Sequence, residues 1–234
     1  MATLYIVATP IGNLEDITLR ALNILKSVDI IACEDTRHTQ KLLNKYEIRK
    51  RLIATHAHNE KESANGIVSL LDQGNDIAFV SDAGTPAISD PGARLVSKVR
   101  QEGYDVVAIP GASAIITLIS ISGYVGKTFT FEGFLPIKKG KRNTRLTQLI
   151  ERDEAFVIYE SPYRVLKTLK EIASIDETRV VVVARELTKA HEEVLRNNIV
   201  EIINDFESRA AIKGEFAICV CPSKASEEFL EKND

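Results

Sequence analysis

The stretch Ile77 to Gly92 reads IAFVSDAGTPAISDPG, four apolar residues followed by twelve that are mostly small, polar or turn-forming. The apolar run predicts a buried strand. The segment after it holds two each of Gly, Pro, Ser and Asp, which favour a loop and cannot pack a core. Its first half, around Asp82, suits a ligand lying against bare backbone. Its second half predicts a helix start, with Ser89 or Asp90 as N-cap and Pro91 at the first helical position.

The same alternation of apolar strand and amphipathic helix extends through the first half of the chain. This order predicts parallel βαβ units, and in such open α/β sheets ligands bind at the carboxyl ends of the strands. The predicted strands are 4–8, 30–33, 52–55, 77–80 and 106–109, and the predicted helices are 17–27, 39–46, 62–73, 91–102 and 112–120.

The glycine-punctuated segment SGYVGK (122–127) marks a predicted domain boundary, giving an N-terminal α/β domain (1–121) and a C-terminal α/β domain (122–234). The second domain is richer in strands with long polar connections, which predicts a mixed sheet. Ser161 and Pro162 predict the start of one of its helices. The charged tail 223–234 predicts a frayed end. Predicted strands are 128–131, 155–159, 179–184, 193–196 and 216–221, and predicted helices are 141–152, 162–173 and 198–208.

Composition restricts the class of protein. The 234 residues are 44% hydrophobic and 27% charged, which is typical of a soluble globular chain with no membrane partner. The net charge of −3 predicts no global basic field for nucleic acid, so an RNA partner needs a local patch. Three cysteines form neither a disulfide framework nor a zinc pattern, and Cys219 and Cys221 are expected to be buried thiols of one strand. We therefore expect a cytoplasmic protein.

Two phosphate-binding signatures and a metal site are excluded by spacing. Gly126-Lys127-Thr128 resembles the end of a P-loop, but the glycine required five residues earlier is Ile121. No GxGxxG motif occurs. His38, His56 and His58 have no acidic or thiol partners at ligand spacing, so no metal is predicted.

Three further loops of the first half also follow apolar runs: TPIGNLED (9–16), the segment with Asp35 and Arg37, and PGASA (110–114). Each has a local explanation, namely a plain turn, a helix cap at Asp35, or close helix–sheet packing by small residues. Each also suits a ligand, because helix N-termini bind anionic groups and small residues admit a flat ring. Asp35 and Arg37 together suit a hydroxylated substrate. Both interpretations stay open at this point.

The second half contributes polar loops and one basic run. FEGFLP (131–136), ESPYR (160–164), ARELTKAHEE (184–193) and KGEF (213–216) each adjoin a predicted strand. Five cations in eight residues usually form a solvated helix face, but they also suit RNA phosphates. These cations are Lys138, Lys139, Lys141, Arg142 and Arg145.

Together with EDTRHT (34–39) and VSDAGTPAISDPG (80–92), these motifs resemble, in order, the tetrapyrrole methylase superfamily of class III methyltransferases. The resemblance covers nearly the whole chain and is closest to members that act on small-subunit ribosomal RNA. It implies two α/β domains with S-adenosylmethionine (S-adenosyl-L-methionine) in the cleft between them, and a homodimer. It also implies 2′-O-methylation of a cytidine ribose in the decoding region of 16S ribosomal RNA within the small ribosomal subunit.

The resemblance also implies site residues. Cofactor binding falls on Pro10, Ile11, Gly12, Asp82, Gly84, Thr85, Ser113, Ala114, Tyr159, Gly214 and Glu215. Candidates facing the same cleft are Asp35, Arg37, Glu132, Glu160, Arg185 and Lys189. Among these we expect Asp35 and Arg37 to orient the nucleotide, and Lys189 or Glu160 to assist proton removal from the weakly acidic hydroxyl.

Two other functions remain open at this point. A methylase of a small molecule, such as a tetrapyrrole, would have the same fold but no use for the basic run. A non-catalytic, ribosome-associated ligand-binding module would bind without transferring a methyl group.

Overall fold

A computed structural model describes residues 2–55, 60–124 and 126–231. The chain divides into two compact units, Met1–Ser113 and Ala114–Asp234. The division comes earlier than the predicted boundary, because the helix Ala114–Ile121 packs against the strand Phe216–Val220 of the second unit.

The first unit is a five-stranded parallel sheet with helices on both faces. Its strand order is β3-β2-β4-β1-β5. A short 3₁₀ turn, Leu14–Asp16, lies between β1 and α1. The elements are β1 (Thr3–Val7), α1 (Leu19–Ser27), β2 (Ile30–Cys33), α2 (Thr36–Lys45), β3 (Arg51–Ala54), α3 (Glu60–Asp72), β4 (Ile77–Val80), α4 (Ala93–Gln101) and β5 (Asp105–Ile109).

Two separate cores show which helices cover each face of this sheet. Alternate residues of a strand point to opposite faces, so Ala78 and Val80 of β4 pack with α1 and α2, and Ile77 and Phe79 pack with α3 and α4. The connection after β1 therefore leads to α1 on one face of the sheet, and the connection after β4 leads to α4 on the opposite face. This makes the edge between β1 and β4 the topological switch point of the sheet.

The second unit is built on a mixed sheet, as predicted. Its order is β6-β7-β10-β8-β9, with β6 and β7 parallel and the other neighbours antiparallel. The elements are α5 (Ala114–Ile121), β6 (Phe129–Phe134), α6 (Lys139–Glu151), β7 (Ala155–Glu160), α7 (Val165–Ala173), β8 (Val180–Arg185), β9 (Glu193–Asn198), α8 (Ile199–Ser208), β10 (Phe216–Val220) and α9 (Ser223–Leu230).

Two predicted helix starts are wrong. Helix α4 begins at Ala93 after Gly92, because Ser89 has φ +60 and so lacks the extended backbone of an N-cap. Helix α7 begins at Val165, because the Ser161 carbonyl accepts from the Arg164 and Val165 N–H groups in a separate turn. The prediction that Asp35 caps a helix is confirmed, since its side chain accepts from the Arg37 N–H.

The predicted frayed tail is also wrong over most of its length, because residues 223–230 form α9. Ser226 is buried, and its hydroxyl accepts from the Val180 N–H at 2.9 Å. The Ser223 hydroxyl donates to Asp153 at 2.6 Å. These contacts with distant residues hold a helix that its charged sequence does not predict.

The cysteines are free and buried. A hydrogen bond to Cys221 and burial both raise the pKa of Cys219, so that thiol stays protonated. Within the described ranges, none of the helices combines the length and apolar character needed to cross a bilayer.

Candidate functional site

The loops after β1 and β4 meet at the switch point of the first unit. The Thr9 N–H donates to the Gly84 carbonyl at 2.9 Å, and the Gly84 N–H donates back to Thr9 at 3.1 Å. The Thr9 hydroxyl also donates to the Ser81 carbonyl. Gly84 has φ +77, and a Cβ there would lie 3.3 Å from Ile11 Cγ2. A residue without a side chain is therefore required where the two loops cross.

The loop after β5 joins the same platform. The Thr85 hydroxyl donates to the Ala112 carbonyl at 3.2 Å. A Cβ on Gly111 would lie only 3.0 Å from the Cβ of Ala8, so the chain passes close to the end of β1. Hydrogen bonds and close packing thus connect three loops at one edge of the sheet, which we call the switch-point platform (residues 9–12, 81–85 and 109–113).

The predicted cofactor residues of the first half fall on this platform. Pro10 and Gly84 are buried in it, whereas Ile11, Gly12, Asp82, Thr85 and Ser113 remain partly or fully accessible. Small side chains leave its backbone open, and the Asp82 carboxylate and Ser113 hydroxyl can bind a ligand's polar groups. These residues fit an elongated ligand with polar ends, such as S-adenosylmethionine. Ala114, the last of the predicted set in this stretch, starts α5 in the second unit.

The acidic side of the platform links β2 to β4. The Asp82 Oδ1 accepts from the Asp35 N–H at 3.1 Å, so the two loops are tied together. Arg37 binds Asp35 through its side chain, at 2.8 Å between Nη2 and Oδ2, and through its backbone N–H. Those hydrogen bonds hold the pKa of Asp35 well below its usual range. Asp35 and Arg37 therefore form an ion pair with an exposed guanidinium and an ionised carboxylate.

Asp90 also belongs to this acidic side. Burial, with the nearby charges of Glu34 and Asp82, raises the pKa of Asp90 to about 6, against a weaker opposing hydrogen bond from Ser81. In the unfolded chain this carboxyl group loses its proton near pH 4, whereas in the folded protein it keeps the proton until about pH 6. The free energy of unfolding therefore falls as the pH rises through that window.

We expect Asp90→Asn to raise the free energy of unfolding at pH 7.5 by about 1 kcal/mol. The gain is smaller than for a fully buried carboxylate, because water screens the charge of this half-buried group. At pH 4 the variant and the parent should be equally stable. Urea unfolding at both pH values measures this, with the exposed Asp105→Asn as control. A stability gain of the same size at both pH values would contradict the assigned charge effect.

In the second unit, Tyr159 and Glu160 lie at the end of β7. The Tyr159 ring packs edge-on between Phe131 and Phe134, with centroids 5.1 and 5.7 Å away. Glu160 is buried, with Oε1 accepting from the Ser161 N–H and Oε2 from the Thr168 hydroxyl, both at 2.8 Å. Arg164 lies 3.2 Å from the same carboxylate. Glu160 thus orders the turn into α7.

Lys189 lies in a second acidic cluster, at the end of β8 and the start of β10. Its ammonium donates to Glu186 at 3.0 Å and to Glu215 at 2.9 Å. Partial burial lowers the pKa of Lys189, but these two carboxylates outweigh it and the net pKa is raised. Gly214, with φ +104, leaves room for Glu186, whose Cγ would lie 2.7 Å from an added Cβ. Lys189 is therefore a cation at neutral pH, held beside the predicted residues Gly214 and Glu215.

The basic run divides into two groups. Arg142 is 3% exposed, and Arg145 forms a two-pronged pair with Glu132. Lys138, Lys139 and Lys141 are exposed. Arg142 is thus placed in the interior rather than on the face available to RNA. Another of the candidate cations, Arg185, is paired with Glu193 at 3.0 Å.

The sequence did not indicate the parts played by Thr9, Ser81 and Tyr163. Thr9 and Ser81 lie in polar loops that are distant in the sequence, and only the folded chain brings the buried Thr9 hydroxyl to the Ser81 carbonyl. Tyr163 belongs to ESPYR, and nothing in that motif predicts that the side chain is 95% exposed. His38 is exposed, whereas His56 and His58 lie outside the described residues. In the part of the chain that the structure describes, no three His, Cys, Asp or Glu residues group as metal ligands.

Comparison with known proteins agrees with this architecture. The family described as Tetrapyrrole (Corrin/Porphyrin) Methylases matches residues 3–203. A relative from Borrelia garinii subsp. bavariensis, named Ribosomal RNA small subunit methyltransferase I, is 46% identical over 223 residues, covering 95% of this chain and 100% of the relative. The relative of the same name from Bacillus subtilis is 46% identical over 220 residues, covering 94% of this chain and 75% of the relative.

Solved structures share the fold at low identity. A diphthine synthase superposes with a TM-score of 0.76 at 12% identity, covering 99% of this chain and 95% of that one. A cobalt precorrin-4 methyltransferase of cobalamin biosynthesis gives 0.70 at 18% identity, covering 93% and 94%. The family match over residues 3–203 and the relative aligned over all of its own length show that the chain belongs to the tetrapyrrole methylase family.

Proposed function

We propose that this protein is an S-adenosylmethionine-dependent methyltransferase of small-subunit ribosomal RNA, acting on the 2′ hydroxyl of a cytidine in 16S RNA. The single observation that carries the proposal is 46% identity across 95% of the chain to a relative named Ribosomal RNA small subunit methyltransferase I. The switch-point platform, with its small residues and accessible Asp82, supports cofactor binding on the first unit.

The chemistry requires alignment and charge stabilisation more than covalent catalysis. When bound, S-adenosylmethionine would supply both an electrophilic methyl carbon and the sulfur that departs from it, and the attacking ribose oxygen would release its proton to solvent water. Asp35 and Arg37 form a fixed pair able to bind a hydroxyl or phosphate of the nucleotide. Lys189 stays cationic beside two carboxylates, so its role is to stabilise negative charge on the acceptor oxygen rather than to act as a base. Glu160 is a positioning residue of the β7–α7 turn.

The decisive experiment is transfer of labelled methyl groups to small ribosomal subunits from cells that lack the protein. Alkaline hydrolysis then locates the product, because a 2′-O-methyl group blocks cleavage of the adjacent phosphodiester. We expect one protected cytidine position in 16S RNA. Labelling of a small molecule, or binding without transfer, would point to the two other functions considered above and reject this one.

Cofactor binding by the first unit has its own test. We expect Asp82→Ala to weaken S-adenosylmethionine binding about tenfold, because a hydrogen bond to a charged group contributes about 1.5–3 kcal/mol. Isothermal titration measures it, with Asp105→Ala as a charge-matched control that should bind like the parent. Equal affinity of the Asp82 variant and the parent would remove Asp82 from the cofactor contacts.

We also propose a cytoplasmic homodimer. The support is the family resemblance, which implies a dimer, together with the apolar sequence AIITLISI of α5, in which Ile116 is 59% exposed. The mass in solution from light scattering tests it, and a monomer at micromolar concentration would contradict it.

A further inference from the structure

A shallow groove runs along the outer surface of the second unit between α6 and α7. It encloses about 540 Å³ and is lined by Lys139 and Asn143 from α6, and by Tyr163, Lys167 and Lys170 from the α7 side. We call it the α6–α7 groove. Lys167, Lys170 and Ser174 recur at helical spacing along α7, and Tyr163 lies in the turn that precedes this helix.

The groove is positively charged although the chain as a whole is acidic. Its one lining carboxylate, Glu171, is already engaged by Arg142 through two hydrogen bonds of 2.6 and 2.7 Å. The charges of Lys167 and Lys139 further lower the pKa of Glu171, which places both ammonium groups near this carboxylate. Lys170 pairs with Glu207. Among the described residues that line the groove, the carboxylate of Glu171 is already paired with Arg142. A ligand in the groove would therefore meet the ammonium groups of Lys139 and Lys167.

Tyr163 is the unusual member of the groove. It is 95% exposed, although a tyrosine ring offers a large apolar surface that proteins commonly cover. Two hydrogen bonds, from the Arg164 and Val165 N–H groups to the Ser161 carbonyl, order the turn that carries it. The ring is therefore held outward by the backbone rather than by packing of its own.

We propose that the α6–α7 groove binds a single-stranded segment of the RNA substrate, with a base stacked on Tyr163 and phosphates contacting Lys139 and Lys167. This inference rests on the proposed function and adds a binding surface to it. A basic groove beside an exposed aromatic ring is the combination by which proteins hold single-stranded nucleic acid. Lys138 and Lys141 are also exposed near the start of α6, but they are not among the residues that line the groove.

A second copy of the chain suits this groove less well. In a two-fold dimer the same surface of both copies comes together, so the lysines of one groove would meet those of the other. Like charges at such a contact disfavour association. An RNA backbone instead supplies the opposite charge.

The test measures binding of a labelled single-stranded RNA oligonucleotide by fluorescence anisotropy at several salt concentrations. We expect Tyr163→Ala to weaken binding about tenfold, as stacking of one base predicts, with the salt dependence unchanged. Tyr163→Phe keeps the ring and should restore the affinity. Lys167→Glu should weaken binding and reduce the salt dependence by roughly one phosphate contact. Lys26 is an exposed residue of α1, so Lys26→Glu is the charge-matched control. Its RNA affinity should stay within about twofold of that of the parent.

Two further measurements separate this inference from the proposed function. If the parent methylates ribosomal RNA but Tyr163→Ala binds RNA within twofold of it, the groove proposal is overturned and the proposed function stands. If the parent transfers no methyl group but binds RNA, and Tyr163→Ala weakens that binding, the groove proposal is supported and the proposed function fails. A changed mass in light scattering with unaltered RNA affinity would assign the groove to a second copy and overturn the proposal.

Discussion

Replacing Arg142 with methionine is expected to lower the free energy of unfolding by about 3–5 kcal/mol. The guanidinium is 3% exposed and binds Glu171 through two nitrogens. It also donates to the carbonyls of Pro136 and Ile137, at 3.2 and 2.7 Å. Methionine fills similar space but leaves a nearly buried carboxylate and two carbonyls without these donors. Urea unfolding at pH 7 measures the loss.

A variant that replaces both partners separates the charge effect from the packing effect. Arg142→Met with Glu171→Leu removes both charges, so we expect this double variant to be more stable than Arg142→Met alone. Arg142→Lys keeps the charge but not the planar fork, and should lie between the parent and the methionine variant. A loss below about 1 kcal/mol for Arg142→Met, or a double variant no better than the single one, would show that the pair contributes little.

The same substitution bears on RNA binding. Arg142 and the exposed lysines form one basic run in the sequence, which indicates a single shared role. The structure separates them. Arg142 forms hydrogen bonds both to the Ile137 carbonyl before α6 and to Glu171 of α7, whereas the three lysines are exposed to solvent. We therefore propose only the lysines of this run as phosphate contacts, and expect Arg142 to act on RNA only through the shape of the α6–α7 groove.

The strands of the first unit were predictable because each is a short apolar run between turn residues. β2 and β4 occupy the predicted residues, and the other strands differ by about one residue at their ends. A fully buried parallel strand gives this uninterrupted signal. The polar loops at the strand ends were equally visible, so the switch-point platform could be located before its hydrogen bonds were known.

Features that depend on distant residues could not be predicted. Arg142 and Glu171 are 29 positions apart, and α9 is held through Ser226 by a strand 46 positions earlier. Local composition therefore suggested an exposed cation and a frayed tail. The start of α4 could not be predicted for another reason, because Ala87 and Ser89 have positive φ and the neighbouring Pro and Asp residues do not reveal this backbone conformation.

Gly92→Ala is expected to destabilise the protein by about 2–4 kcal/mol and to weaken cofactor binding. Gly92 has φ +131, a backbone region that residues with a side chain rarely adopt. An added Cβ would lie 2.7 Å from the Phe79 Cε1, and this ring is 3% exposed in the core beneath α3 and α4. Neither the backbone nor the ring can yield cheaply, so the segment between Asp82 and Gly92 has to shift.

Gly74→Ala is the matched control, because Gly74 also has positive φ, +86, but an added Cβ meets nothing within 4 Å. It should cost only about 1 kcal/mol and leave cofactor affinity unchanged. The difference between the two variants combines the contact with Phe79 and the rarer backbone conformation of Gly92, and the part of it that Phe79→Leu combined with Gly92→Ala recovers is due to the contact. Equal losses for Gly74→Ala and Gly92→Ala would mean that backbone conformation alone decides the cost. Unaltered S-adenosylmethionine affinity in a destabilised Gly92→Ala protein would show that the loop half next to α4 is independent of the half proposed to bind cofactor.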